Sequence, residues 1–285
     1  MVNYDTLENV SIERLHNTFM EAFSDYEVKI DMPILKLKQR LQRTGYVTQA
    51  SMGASDNDVL VGFLLNSIRE WDGKVTAYDT GTGVIKEYRN KGITSAMFLN
   101  VLKNLKGMEV EQYLLEVIQS NTSAVHLYKK QGFEVSREFE CFNLEKKLFT
   151  CTPTHQVKHI NDITEIDWVK LMSFWDFKPS WQNSIDSIKA VSDEFICSTV
   201  SIDDVIVGYG IIDKNTGDIP QIAVDKSYRG KGIGSSILAD LVKNTESSSL
   251  NVVNIDSQCI SVKDFLLNLG FKLVVKQYEM ILKLQ

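Results

Sequence analysis

Two segments of the chain place an arginine, a lysine and closely spaced glycines where an anion could be held: Tyr88-Arg89-Asn90-Lys91-Gly92-Ile93-Thr94-Ser95 and Tyr228-Arg229-Gly230-Lys231-Gly232-Ile233-Gly234-Ser235. Six of the eight positions are identical at an offset of 140. Glycine lets a backbone approach a ligand closely, and successive N–H groups opening a helix attract negative charge, so the chemistry of each segment is capture of a phosphate or diphosphate. Each follows an apolar run and precedes apolar residues at helical spacing: Ile93, Met97, Phe98, Val101 and Leu102 in one copy, Ile233, Ile237, Leu238, Leu241 and Val242 in the other.

A second landmark, Gln131-Gly132-Phe133, returns as Leu269-Gly270-Phe271 at an offset of 138, which makes the chain a tandem duplication. Phe149-Thr150-Cys151-Thr152-Pro153-Thr154 breaks the periodicity, so the seam is expected near residue 152, with domains 1–152 and 153–285. The patterning predicts helices over Ser11–Ser24 and Pro33–Arg43, the latter with Pro33 in its first turn. Strands are expected at Val47–Ser51, Val59–Ser67, Val75–Thr82, Tyr113–Ile118 and Phe139–Leu144. Asn121 is the expected N-cap of a helix carrying Ala124, Leu127 and Tyr128. In the second half helices are expected at Ile163–Met172, Ser180–Val191 and Val262–Leu269, the last with a Ser261/Asp264 capping box. Strands are expected at Phe195–Ser201, Val205–Ile212, Ile219–Val224, Val252–Ile255 and Tyr278–Leu284.

Composition excludes several alternatives. With 44% apolar and 24% charged residues the chain has the balance of an ordinary globular protein. Its 31 basic and 37 acidic residues give a formal charge of −6, the wrong sign for phosphate-backbone binding and compatible with a cationic amine substrate. Cys141, Cys151, Cys197 and Cys259 form no C-x-x-C pair and read as reduced thiols. His155 and His159 follow Pro153 in a connector or strand, so no metal is expected. Met1 to Glu8 lacks the basic flank and apolar run of a signal peptide and no stretch is long enough to span a membrane, so the expected location is the cytoplasm. Trp168, Trp175 and Trp181 with Phe174 and Phe177 read as a core cluster, with an aromatic substrate wall as the alternative.

Val84-Ile85-Lys86-Glu87-Tyr88-Arg89-Asn90-Lys91-Gly92-Ile93, followed by Leu115-Glu116-Val117, Asn121, Ala124, Leu127-Tyr128 and Gly132-Phe133, resembles the coenzyme-binding core of the GCN5-related N-acetyltransferases (GNAT). The second half resembles it through Ala223-Val224 and Arg229 to Gly234. The resemblance implies an α/β fold of two tandem domains, each a curved mixed sheet flanked by helices. It also implies acetyl transfer from acetyl-coenzyme A to a small-molecule or peptide amine, with no metal, nucleic acid or membrane involved; self-association stays open. The coenzyme contacts it implies are Val84, Ile85, Arg89, Asn90, Lys91, Gly92, Ile93, Thr94 and Asn121, and in the second half Val224, Arg229, Gly230, Lys231, Gly232, Ile233 and Gly234.

Thr94 stands where the family usually has Gly or Ala, and its hydroxyl could donate a hydrogen bond instead. Glu116, in an apolar strand, is the implied base and Tyr128 the implied acid, with Asp79 and Glu140 as alternative bases. Counted from the Gly-Phe landmark, the second copy carries Asn254 and Leu266 in place of that pair. The first domain is therefore the expected catalyst. The alternatives are catalysis in the second domain through Asp256, Tyr278 or Glu279, or a coenzyme A-binding sensor without turnover.

Overall fold

A computed structural model describes residues 1–25, 32–160, 162–164 and 166–284. The first repeat contains β1 (Val2–Thr6), α1 (Ile12–Ala22), α2 (Ile34–Thr44), β2 (Met52–Asp56), β3 (Val59–Trp71), β4 (Lys74–Val84), α3 (Ile93–Gly107), β5 (Gln112–Ile118), α4 (Thr122–Lys130) and β6 (Glu134–Glu145). The second contains β7 (Lys158–Ile160), α5 (Trp168–Met172), α6 (Ile185–Ala190), β8 (Phe195–Ile202), β9 (Val205–Asp213), β10 (Gln221–Val224), α7 (Ile233–Lys243), β11 (Ser249–Asp256), α8 (Ile260–Asn268) and β12 (Lys272–Lys283). The order of strands and α-helices is the same in both, as a duplication requires.

The chain forms two compact units: Met1–Val117, Asn121–Ser136 and Glu279–Gln285 in one, Ile118–Ser120 and Arg137–Tyr278 in the other. The divisions fall inside β6 and β12, so the last strand of each repeat supplies residues to both units. The seam expected near residue 152 consequently lies within the second unit, because sheet pairing rather than chain order decides membership.

In the first unit the strands run β1-β2-β3-β4-β5, with the end of β12 beyond β5. β1 to β4 are antiparallel neighbours, whereas β4 and β5 are parallel and pair only from Thr76/Gln112 to Asp79/Leu115. Beyond Asp79 the two strands part, leaving one edge of β4 without a partner strand. Side chains alternate across the sheet. Phe63 meets Phe19 of α1 on one face, with ring centroids 5.6 Å apart, and Met97, Phe98 and Val101 of α3 are buried. Ser11 caps α1 by accepting from the Arg14 N–H at 3.2 Å, and Gly45, at φ +83°, ends α2.

The second unit holds the antiparallel sheet β7-β8-β9-β10, with β11 paired antiparallel to β6. Helix α7 lies directly on β9: a Cβ on Gly208 or Gly210 would come within 2.8 or 2.7 Å of Ile233 or Ile237. The β11 ladder shifts register between Val252 and Ile255, with Asn254 at φ +61°.

Several local expectations are corrected. Val47–Ser51 holds a 3₁₀ turn, Thr48–Ala50, since the Ala50 N–H donates to the Val47 carbonyl and the Ser51 N–H to the Thr48 carbonyl, each at 3.2 Å. Pro33 is the N-cap of α2 rather than a first-turn residue. The expected helix Ser180–Val191 begins as a 3₁₀ turn, Trp181–Asn183, and becomes α-helical at Ile185. The Ile163–Met172 helix is shortened to α5; residue 165 of that range lies outside the described residues. Cys259 caps α8, so no Ser261/Asp264 box forms and Ser261 donates instead to Asp176 at 3.1 Å. The four cysteines carry free thiols. No helix among the described residues is long and apolar enough to cross a membrane, and no group of three or more His, Cys, Asp or Glu there could hold a metal.

Candidate functional site

The first glycine loop begins where β4 leaves the sheet. The Ile85 N–H donates to the Val61 carbonyl at 3.0 Å, which makes Ile85 and Val61 a hydrogen-bonded antiparallel pair. Hydrogen-bonded and open pairs alternate, so Val84, opposite Gly62, turns its N–H away from β3 toward the open edge. Ile85 has spent its own N–H in the sheet and buries its side chain. Asn90 and Gly92 both adopt left-handed backbone, φ +60° and +76°, which turns the chain into α3 with Gly92 as N-cap. The first-turn N–H groups of α3 have no partner within the helix. A Cβ built on Gly92 meets nothing within 4 Å, which leaves the backbone open to a ligand.

Arg89 does a different job from the one its charge suggests. Its guanidinium donates to Asp25 at 2.7 and 2.8 Å, to the Ala22 carbonyl at 2.8 Å and to the Val84 carbonyl at 3.1 Å. It ties the loop to the end of α1. Lys91 folds over the Tyr88 ring, 4.9 Å from its centroid. Asn121 caps α4, its side-chain oxygen accepting from the Ala124 N–H at 3.2 Å and from the Ser123 hydroxyl at 2.9 Å.

Upstream on the parting strand stands Asp79, 8% exposed. Burial pushes its carboxyl up to about 6, although Thr82 (2.9 Å), the Gly81 N–H (2.9 Å) and the Tyr128 hydroxyl (3.4 Å) all donate to it. Tyr128 is set on α4 by an aromatic nest: Phe98 and Phe133 meet its ring edge-on at 5.7 and 5.8 Å, and Phe133 also packs on Tyr113 at 5.4 Å. This explains the Gly-Phe landmark, whose glycine turns the chain and whose phenylalanine orients the tyrosine. Glu116, on β5, is hydrogen-bonded to Tyr78, whose hydroxyl is pushed well above its usual range by burial and by that carboxylate. The structure therefore brings Asp79 and Tyr128 together and sets Glu116 beside Tyr78. Glu140 belongs to the second unit; against the upward push of burial, Lys276 at 3.0 Å and Lys263 at 3.4 Å hold it below its usual value.

The second unit repeats the loop geometry. Gly230 and Gly232 are left-handed at φ +73° and +83°, and Arg229 donates to the Val224 carbonyl, the Phe174 carbonyl and Asp176, each at 3.0 Å. Val224, opposite Gly208, turns its N–H away from β9, because Asp225 pairs with the Val207 carbonyl. Here the loop borders a cavity of about 480 Å³ running between β10 and β11. Its polar wall is consumed by itself: Trp175 donates to the Tyr209 hydroxyl (2.5 Å), Tyr209 to Gln221 (2.7 Å), Gln221 to the Asn183 carbonyl (2.7 Å) and Asn183 to the Val253 carbonyl (2.9 Å). Asn254 donates to Ser180 at 3.0 Å and accepts from Gln277 at 2.9 Å.

Family models match this arrangement over both halves: the acetyltransferase (GNAT) family at residues 12–133 and an acetyltransferase (GNAT) domain at residues 179–280. The chain is a tandem GNAT protein. Among solved structures, a tandem GNAT protein from the clavulanic acid biosynthesis pathway is 13% identical with a TM-score of 0.73, covering 100% of this chain and 99% of its own. A GCN5-related N-acetyltransferase from Sphaerobacter thermophilus is 11% identical with the same TM-score, covering 100% and 96%. At such identities the likeness is one of fold. No curated protein matches the chain.

Within this tandem GNAT protein each glycine loop leads from a strand into a helix, and the Tyr128 hydroxyl reaches Asp79 on the parting strand. Asp79, an alternative base in the sequence, lies in an Asp79-Thr80-Gly81-Thr82 run that carries the signal of a carboxylate closing a turn on the N–H two residues on. Tyr78, Asn183, Tyr209 and Gln221 carry no such local signal. Trp168 and Trp181 are core, whereas Trp175 and Phe177 line the cavity of the second unit and Phe174 is both buried and part of that lining. Asp256, Tyr278 and Glu279 are not among the residues lining that cavity.

Proposed function

We propose that this protein transfers the acetyl group of acetyl-coenzyme A to a primary amine, with the first unit as catalyst. The observation that carries the reading is the Asp79–Tyr128 pair, a buried carboxyl poised at about 6 with a tyrosine hydroxyl 3.4 Å away, beside the open edge of β4. The loop from Arg89 to Thr94 holds the coenzyme diphosphate through backbone N–H groups and the helix dipole. Arg89 acts by fixing the loop. The amine arrives as an ammonium, and Asp79 takes its proton, a role suited to a base near its own pKa. The neutral nitrogen attacks the thioester carbonyl, whose oxygen is received by the Val84 N–H. As the C–S bond breaks, Tyr128 gives its proton to the departing sulfur and takes back the proton held by Asp79; the second proton of the acylated nitrogen then passes through the freed Asp79 carboxylate to solvent, so one proton ends on the thiol and one is released. Glu116 is the competing base, placed on the next strand.

The second unit binds the coenzyme without turning it over. At the offset relating the loops, Asp79 corresponds to Ile219; at that relating the Gly-Phe landmarks, Glu116 and Tyr128 correspond to Asn254 and Leu266. Neither Ile219 nor Leu266 can exchange a proton, and an amide is no base at neutral pH. Thiol release from acetyl-coenzyme A, measured over a panel of amines with the full chain, tests the reading. Release with at least one amine, lowered roughly 10–10³-fold in Tyr128→Phe and retained in Leu266→Ala, is expected. Release unaffected by Tyr128→Phe would return catalysis to another site.

A further inference from the structure

The cavity of the second unit is larger and more apolar than a diphosphate clamp requires. It extends from the loop back along the chain to Ile219 and Pro220, five residues before Val224, or roughly 15 Å at the rise of an extended strand. With its thioester carbonyl on the outward Val224 N–H, the counterpart of Val84, a coenzyme leaves that length to its acyl chain. A thioester whose diphosphate sits on Gly230 and Gly232 therefore delivers its acyl group among Trp175, Tyr209, Ile219 and Pro220. Gln221 and Asn183, also there, already spend their amide groups on Tyr209 and on backbone carbonyls, so they hold that end in shape. Among the described residues lining the cavity Asp176 is the only acidic one, and it is paired with Arg229 at 2.8 Å near the loop and accepts from Ser261. An ammonium brought to the far end would find no carboxylate lining it, whereas a hydrocarbon chain would find an aromatic and aliphatic wall.

Resting on the reading of the second loop as a coenzyme site, we propose that the second unit is a binding site for acyl-coenzyme A carrying an aliphatic acyl group longer than acetyl, retained without transfer. The first unit differs at the corresponding positions, where Asp79 stands in place of Ile219 and Glu116 in place of Asn254. The duplication has thus separated one site that moves protons from one that buries a neutral chain.

Trp175 lines the cavity and reports on it by fluorescence. The full chain is titrated with coenzyme A and with acetyl-, butyryl- and hexanoyl-coenzyme A, following the tryptophan signal. Each added methylene is expected to tighten binding about three- to fourfold, and Trp175→Phe should remove the signal while calorimetry still detects hexanoyl-coenzyme A. Equal affinity for coenzyme A and hexanoyl-coenzyme A overturns the acyl proposal and leaves the coenzyme reading standing. A signal that persists in Trp175→Phe places the response elsewhere and overturns the proposal as well. No binding of any coenzyme form, by fluorescence or calorimetry, overturns both.

Discussion

The proposed reaction rests on two carboxylates and one hydroxyl of the first unit, and each makes a separable prediction. Tyr128→Phe removes a proton donor while keeping the ring that Phe98 and Phe133 hold, so turnover should fall roughly 10–10³-fold with coenzyme affinity unchanged. Stopped-flow thiol release beside calorimetry checks this. Asp79 titrates at about 6, so the rate should rise with pH through that value, and Asp79→Asn should flatten this limb. If instead Glu116→Gln flattens it, the base is Glu116. Asp79 also bears on stability. Its folded value lies above the ordinary 3.8, so between about pH 4 and 6 the native state holds a proton that the unfolded chain has released. Stability is then greatest below pH 4 and falls as pH rises through 6, by about 3 kcal/mol for this group. Asp79→Asn should show a smaller loss of urea midpoint across that window.

At the scale of the element, both loops are built from the same parts: an arginine locked to the end of the preceding strand, left-handed residues at two positions, and a helix opening on a glycine. Gly92→Val forces a branched side chain into φ +76° and puts its methyls where the structure leaves open space. The strain should cost about 1–3 kcal/mol of stability, and the first unit's coenzyme affinity should fall at least tenfold by calorimetry. Gly232 is more constrained, since a Cβ there would lie 2.6 Å from the Thr154 hydroxyl. The parting of β4 from β5 after Asp79 matters as much as the loop, because it exposes the Val84 N–H without asking a buried amide to go unbonded in a closed sheet.

At the scale of the molecule, the first unit depends on residues at the far end of the chain. Met280 is fully buried in it, Ser136 donates to Glu279 at 2.8 Å, and the Leu284 N–H donates to the Glu111 carbonyl at 2.8 Å. Met280→Ala should destabilise this unit by about 2–5 kcal/mol, and should lower thiol release in parallel as urea is raised. A midpoint unchanged from the parent would show that the last strand is dispensable. The same dependence explains why the full chain, rather than residues 153–285, is the object on which the second unit must be tested.

Periodicity and punctuation in the sequence were enough to declare the duplication, the strand-loop-helix frame of each loop and the helix carrying Tyr128, because these depend on residues near one another in the chain. Asn121 could be read as a cap and Gly92 as a turn for the same reason. What the linear pattern could not decide was environment. Asp79 and Glu116 are both carboxylates on apolar strands, and only burial in the folded unit pushes the first up to about 6, against the hydrogen bonds from Thr82, Gly81 and Tyr128, while the second faces Tyr78. Ser261 looked like a cap until the fold brought Asp176 to it across 85 residues. That the end of β12, from Glu279, joins the first unit is likewise invisible to local pattern, since a strand's alternation states which face is buried and not which neighbour it joins. Local chemistry named the parts of this protein; the pairing of strands far apart in sequence decided which parts share a site.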